Sequence, residues 1–145
     1  MGLGKTAQSI AALEFQRQFA ASAGPFLVIA PLTTLGHWAR EIATWTTMDA
    51  VVFSGGAADR DVLRAHDLWL PRAAGGPRRL RPHVLLASYE AVLRDAPLFQ
   101  SVEWESVVID EGAPRLGFYL FYFLFCRCCR CCCAPLMYSS RLPAS

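Results

Sequence analysis

The sequence predicts an α/β domain built on a parallel sheet. Three observations lead there. Short, continuously apolar runs alternate with stretches whose apolar residues recur at helical spacing. The opening "MGLGKT" reads as the end of a phosphate-cradling loop, G-x-x-x-x-G-K-[ST], that leads into a helix. A fourth apolar run, "SVVID", ends in the carboxylate pair Asp110-Glu111. Ligands of such sheets sit where the strands end.

The elements follow in order. Thr6 to about Ala20 reads as a helix, with Ala7, Ile10, Ala11 and Leu13 along one side, stopped by Ser22, Gly24 and Pro25. "FLVIA" (Phe26–Ala30) is a short β-rich run suited to a strand covered on both faces. "PLTTLGHWAREIATW" opens on Pro31 with Thr33 or Thr34 as candidate N-cap. Its stripe is Leu35, Trp38, Ile42 and Trp45, and both tryptophans are expected in the core. "AVVFS" (Ala50–Ser54) is the second strand, closed by Gly55-Gly56. Asp59 to Leu70 reads as a helix with Val62, Ala65 and Trp69 inward. Residues 71–82, "PRAAGGPRRLRP", read as a flexible surface loop. "HVLLAS" (His83–Ser88) is the third strand, followed by a short helix over Tyr89–Arg94, and Ser106–Asp110 is the fourth.

Composition narrows the class. The chain has 145 residues, 54% hydrophobic and 18% charged, enough apolar material for one packed domain. A net charge of +2 is too small to argue for nucleic acid by itself. No apolar run approaches the roughly 20 residues of a membrane helix. Lys5 is the only lysine against thirteen arginines. A composition that supplies arginine by default retains a compact ammonium at the glycine loop, where a planar guanidinium would fit phosphate less well. All six cysteines lie in "CRCCRCCC" (Cys126–Cys133). That run lacks zinc spacing and has no nearby histidine. The scattered His37, His66 and His83 have no catalytic partner in sequence, and structural roles are expected for them.

The residue chemistry at the two ends of the segment is complementary. Gly2 and Gly4 let backbone N–H groups face phosphate oxygens, with Leu3 between them. Lys5 would reach the β- and γ-phosphates of a nucleotide, and the Thr6 hydroxyl would ligate Mg²⁺. Asp110 would hold Mg²⁺ directly or through water, and Glu111 would orient or deprotonate the attacking water. Lys5, Asp110 and Glu111 are the catalytic candidates. No metal other than Mg²⁺ is expected. Thr33 and Thr34 either contact a nucleic-acid phosphate or belong to an ordinary strand–helix connection. Ser88 and Tyr89 either make a similar backbone contact or serve the helix, Ser88 as its N-cap.

Together these stretches resemble the first lobe of a Snf-type, superfamily 2 helicase-like ATPase, and most of all the chromodomain-helicase-DNA-binding subfamily of chromatin remodellers. "MGLGKTAQSI" is similar to motif I. "FLVIAPLTTLGHWAREIATWTTMDAVVFSG" is similar to motif Ia and its extension. "HVLLASYEAVLRDAPLFQSVEWESVVIDEG" is similar to the stretch from motif Ib to motif II. The resemblance implies a three-layer, RecA-like lobe of the P-loop NTPase class. It implies ATP and Mg²⁺ as cofactors, DNA-dependent ATP hydrolysis, duplex DNA and nucleosomes as partners, and a nuclear location. It also gives Thr33, Thr34, Ser88 and Tyr89 a place along the DNA strand.

The sequence departs from that pattern after residue 112. Ala113 and Pro114 stand where the family carries a histidine, and no counterpart of motif III or the second lobe follows. The expectation is therefore a truncated or mis-read copy: residues 1–112 a partial ATP-binding lobe, and residues 113–145 an unrelated, unstructured tail from read-through or a shifted frame. Such a chain is expected to be inactive alone. The alternative is a non-enzymatic decoy or interaction protein with a metal-binding cysteine tail. A complete small P-loop NTPase fits less well, since no strand feeds the loop.

Overall fold

The structure, a computed structural model, describes residues 4–19, 24–71 and 79–110. Gly2, Leu3, Glu111, the centre of the arginine-rich loop and the expected tail over 113–145 lie outside the described residues. The elements are α1 (Lys5–Phe19), β1 (Phe26–Ile29), α2 (Leu32–Trp45), β2 (Ala50–Phe53), α3 (Ala57–His66), β3 (Val84–Ala87), α4 (Tyr89–Arg94), α5 (Ala96–Gln100) and β4 (Ser106–Ile109).

The four strands form one parallel sheet in the order β2-β3-β1-β4. Strand β1 is apolar at every position because it is paired on both edges and covered on both faces. Its side chains alternate. Phe26 and Val28 join Ile10, Leu13, Leu35, Trp38, Ile42 and Met48 under α1 and α2. Leu27 and Ile29 face the other way, with Phe53, Leu68, Ala91, Val92 and Phe99 under α4 and α5. Two cores flank one sheet, which makes three layers. Each fully buried aliphatic or aromatic side chain of β1 contributes roughly 1.5–3 kcal/mol by leaving water.

The α5 side is closed by aromatics. Phe99 meets Phe53 edge-on at 5.6 Å and stacks on Trp104 at 6.2 Å. The Trp104 indole donates to the Phe99 carbonyl at 2.8 Å, so its polar end is satisfied. Beside this core lies a buried charge cluster. Arg60 Nε stands 2.8 Å from Asp95 Oδ2 as an ion pair with poor hydrogen-bond alignment, and Arg64 pairs with the other oxygen of Asp95. Arg60 also donates to the Gly55 carbonyl at 2.7 Å. Gly55 itself has φ +98°, and a Cβ there would meet Asp59 at 2.8 Å, so this turn requires glycine.

Several sequence expectations are corrected. Trp45 is 66% exposed, not core; it is the last residue of α2, and its indole donates to Glu41 Oε2 at 2.9 Å. Helix α3 ends at His66, and its buried residue is Arg60, while Val62 and Ala65 face solvent. Trp69 lies past the helix and bridges Leu80 in antiparallel fashion, which closes the base of the arginine-rich loop. The N-cap of α2 is Pro31; Thr34 lies inside the helix, and its hydroxyl donates to the Pro31 carbonyl at 2.9 Å. In α1, Ile10 and Leu13 are buried, whereas Ala7 and Ala11 are exposed. Helix α5 was not anticipated. Among the described residues no helix is long and apolar enough to cross a membrane.

Removing the shared carboxylate should be costly. Asp95→Ala leaves Arg60 buried without a counter-charge and is expected to lose about 3–5 kcal/mol in urea unfolding. Trp45→Ala is expected to change stability by only about 0.5 kcal/mol. Comparable losses for the two variants would contradict this placement.

Candidate functional site

The register brings the strand ends level. Ile29 pairs with Ala87 and with Ile109, and Phe53 pairs with Ala87. The residues that follow the strands therefore share one edge: Pro31 leading into α2, Ser54, Ser88 and Asp110. Helix α1 delivers its N-terminus to that edge. Near its other end, Gln16 accepts from the Ser106 hydroxyl at 2.7 Å, and Arg17 donates to Thr47 at 2.9 Å, at the starts of β4 and β2. From Gln16 back to Lys5 the helix climbs about 16 Å at 1.5 Å per residue. From Ser106 to Asp110 the strand climbs about 13 Å. Lys5 and Asp110 thus stand at the same end of the sheet.

At the α1 end, Gly4 has φ +63°, a conformation that glycine adopts without strain, and among the described residues nothing lies within 4 Å of where a Cβ would stand. The backbone here is open to an approaching group. Lys5 is exposed and, among the described residues, makes no ion pair. Thr6 is half-buried in the first turn of α1. A free ammonium, a hydroxyl and the positive end of a 15-residue helix gather at one point, a setting that favours an anion.

At the β4 end, Asp110 is tied down three ways. Its N–H donates to the Ile29 carbonyl at 2.8 Å. Its carbonyl accepts from the Tyr89 hydroxyl at 2.7 Å. Its carboxylate Oδ2 accepts from the Trp38 indole at 3.0 Å. Among the described residues no cation neutralises the carboxylate. A carboxylate held in place at the same end of the sheet as the Lys5 ammonium fits the hard-oxygen chemistry of Mg²⁺. The residues present therefore fit a magnesium–nucleotide pair.

The four nucleic-acid candidates fall in different settings. Thr33 is exposed in the first turn of α2. Thr34 is half-buried with its hydroxyl committed to Pro31. Ser88 is buried at 5% exposure and caps α4, accepting from the Ala91 N–H at 3.2 Å. Tyr89 begins α4 and gives its hydroxyl proton to Asp110. The tie of Trp38 to Asp110 spans 72 positions and was not visible in sequence. An indole on the buried stripe of α2, opposite a strand ending in aspartate, was the signal available. His83 has a structural part, its Nδ1 accepting from the Asp49 N–H at 3.1 Å.

With the geometry in place, likeness to known proteins identifies the class. Residues 1–115 match the SNF2-related domain, and the chain belongs to that family. More particularly, it is 42% identical over 115 residues to chromodomain-helicase-DNA-binding protein 6 of Rattus norvegicus, a match covering 77% of this chain and 4% of that protein. It is 40% identical over 113 residues to chromodomain-helicase-DNA-binding protein 8 of Homo sapiens, with the same two coverages. Among solved structures it resembles the SWI2/SNF2 ATPase core of Sulfolobus solfataricus in complex with dsDNA. There the TM-score is 0.58 and the identity 31%, over 77% of this chain and 20% of that one. The expected helicase-type lobe is thereby met. The chain spans about 4% of the length of these curated relatives.

Two carboxylates make the surrounding scaffold acid-sensitive. The Arg17 hydrogen bond holds Glu14 below its ordinary value of 4.5, and the backbone N–H of Glu90, helped by Ser88, does the same for Glu90. A carboxyl with a depressed folded pKa binds fewer protons folded than unfolded. Its stabilisation is complete above the ordinary value and is lost as pH falls through the folded one. Unfolding free energy should therefore be level near neutrality and fall below about pH 4.5. Glu14→Gln should flatten that acid slope and lower stability at pH 7 slightly; an unchanged slope in both Glu14→Gln and Glu90→Gln would contradict these assignments.

Proposed function

We propose that this chain carries the ATP-binding half of a remodeller-type DNA motor. The observation that supports it best is the placement of Gly4-Lys5-Thr6 and Asp110 at one end of one parallel sheet. In this reading the Gly2–Thr6 backbone and the Lys5 ammonium hold the β- and γ-phosphates of ATP. The Thr6 hydroxyl and the Asp110 carboxylate hold Mg²⁺. Held there by Thr6 and Asp110, Mg²⁺ would offset negative charge that develops on the phosphate. Glu111, next in the chain, orients or deprotonates the attacking water.

Thr33 is the candidate for a DNA phosphate contact, since its side chain is exposed at the start of α2. Thr34, Ser88 and Tyr89 are expected to shape that edge, with their hydroxyls engaged inside the protein. Duplex DNA and nucleosomes as partners, and the nucleus as location, belong to the same proposal, which the likeness to chromodomain-helicase-DNA-binding proteins supports. The catalytic cleft of such motors lies between two lobes. The present chain alone is therefore expected to bind Mg-ATP weakly and to hydrolyse it negligibly.

Binding of a fluorescent ATP analogue with Mg²⁺ tests this reading. Lys5→Ala should weaken binding at least about tenfold, as loss of a charge-assisted phosphate contact does, and Lys5→Arg should not restore it fully. Affinity indifferent to Lys5→Ala would overturn the site. DNA-stimulated turnover that disappears in Lys5→Ala would overturn the expected inactivity.

A further inference from the structure

We propose that Trp38 and Tyr89 are positioning residues that jointly hold Asp110 for metal binding. This rests on the reading of Asp110 as a Mg²⁺ ligand and deepens it.

The two contacts fix different parts of one residue. Trp38 Nε1 donates to Oδ2 at 3.0 Å, which sets the rotation of the carboxylate and leaves Oδ1 without a partner among the described residues. The Tyr89 hydroxyl donates to the Asp110 carbonyl at 2.7 Å, which fixes the main chain where β4 ends. The contacts also come from opposite sides of the sheet. Trp38 is 2% exposed and belongs to the core under α1 and α2, with Leu35, Ile42 and Met48. Tyr89 packs on the core under α4 and α5. An indole so buried has little freedom to turn, so the direction of its N–H is fixed by packing. Asp110 is thus clamped between layers, although β4 is paired on one side only among the described strands.

The chemistry suits a metal ligand. An indole N–H is a donor only, so it cannot compete for the cation. It satisfies one carboxylate oxygen and orients the other outward, as outer partners of ligating carboxylates do. The Tyr89 contact has a further consequence. Tyr89 opens α4 directly after Ser88, so a displacement of the β3–α4 corner is transmitted to the Asp110 backbone through one hydrogen bond.

The test is a Mn²⁺ titration of the full ¹⁵N-labelled chain, without nucleotide, followed at its four indole N–H resonances. Paramagnetic broadening should appear first at Trp38, before Trp45, Trp69 and Trp104, and Asp110→Asn should abolish it. Tyr89→Phe, which removes a single hydroxyl, and Trp38→Phe should each weaken Mn²⁺ binding about tenfold. Ile42→Val, a buried α2 position with an aliphatic side chain that can make no hydrogen bond to Asp110, should leave affinity unchanged at comparable loss of thermal stability. Broadening that requires Asp110 but keeps wild-type affinity in Tyr89→Phe, and in Trp38→Phe where that variant folds, overturns the positioning role and leaves the metal reading standing. Broadening that survives Asp110→Asn overturns the metal reading and this proposal with it.

Discussion

The parallel register of β3, β1 and β4 is the constraint on which the site depends. Phe26 pairs with both Val84 and Ser106, and Ile29 with both Ala87 and Ile109. Equal strands in equal register must end together. Whatever follows each strand then lies on one edge, and α1, tied at its far end to Ser106 and Thr47, adds its N-terminus there. The burial of β1 holds this register. A slip of one residue would turn Leu27 and Ile29 into the wrong core. The chemistry at the edge is polar, but the force that assembles it is apolar.

That division explains how Asp110 can stand at the sheet's edge and still be rigid. Its backbone continues the β1 ladder through Ile29, and its side chain and carbonyl reach the two cores through Trp38 and Tyr89. The cationic side of the site is built differently. Gly4 and Lys5 are exposed at the first turn of α1, where the Gln8 N–H donates to the Gly4 carbonyl at 2.9 Å. One half is held by packing, while the other is exposed among the described residues.

Much of the fold was legible in sequence, for local reasons. The strands are short apolar runs bounded by proline, glycine or polar residues, and each lies within one residue of its expected position. The misreadings are non-local. Trp45 continues the stripe of Leu35, Trp38 and Ile42, but periodicity does not reveal how far along a helix its burial extends. Arg60 is the buried residue of α3 because Asp95 and the Gly55 carbonyl receive it, and neither is foreshadowed by the helix's own pattern. Within the site, Lys5, Thr6 and Asp110 were legible from residue type and motif. The Trp38 and Tyr89 contacts were not, since the fold alone brings α2, α4 and β4 together. The likeness to chromodomain-helicase-DNA-binding proteins added order to motifs that singly are short.

The central claim is that a P-loop lysine and threonine and a strand-end aspartate form one magnesium–nucleotide site on this sheet. A crystal structure of the chain with Mg²⁺ and a non-hydrolysable ATP analogue tests it most directly. The account predicts one metal ion between the Thr6 hydroxyl and the Asp110 carboxylate, with the γ-phosphate against Lys5 and the Trp38 indole still bonded to Asp110. Nucleotide bound elsewhere, or metal held without Asp110, would contradict it.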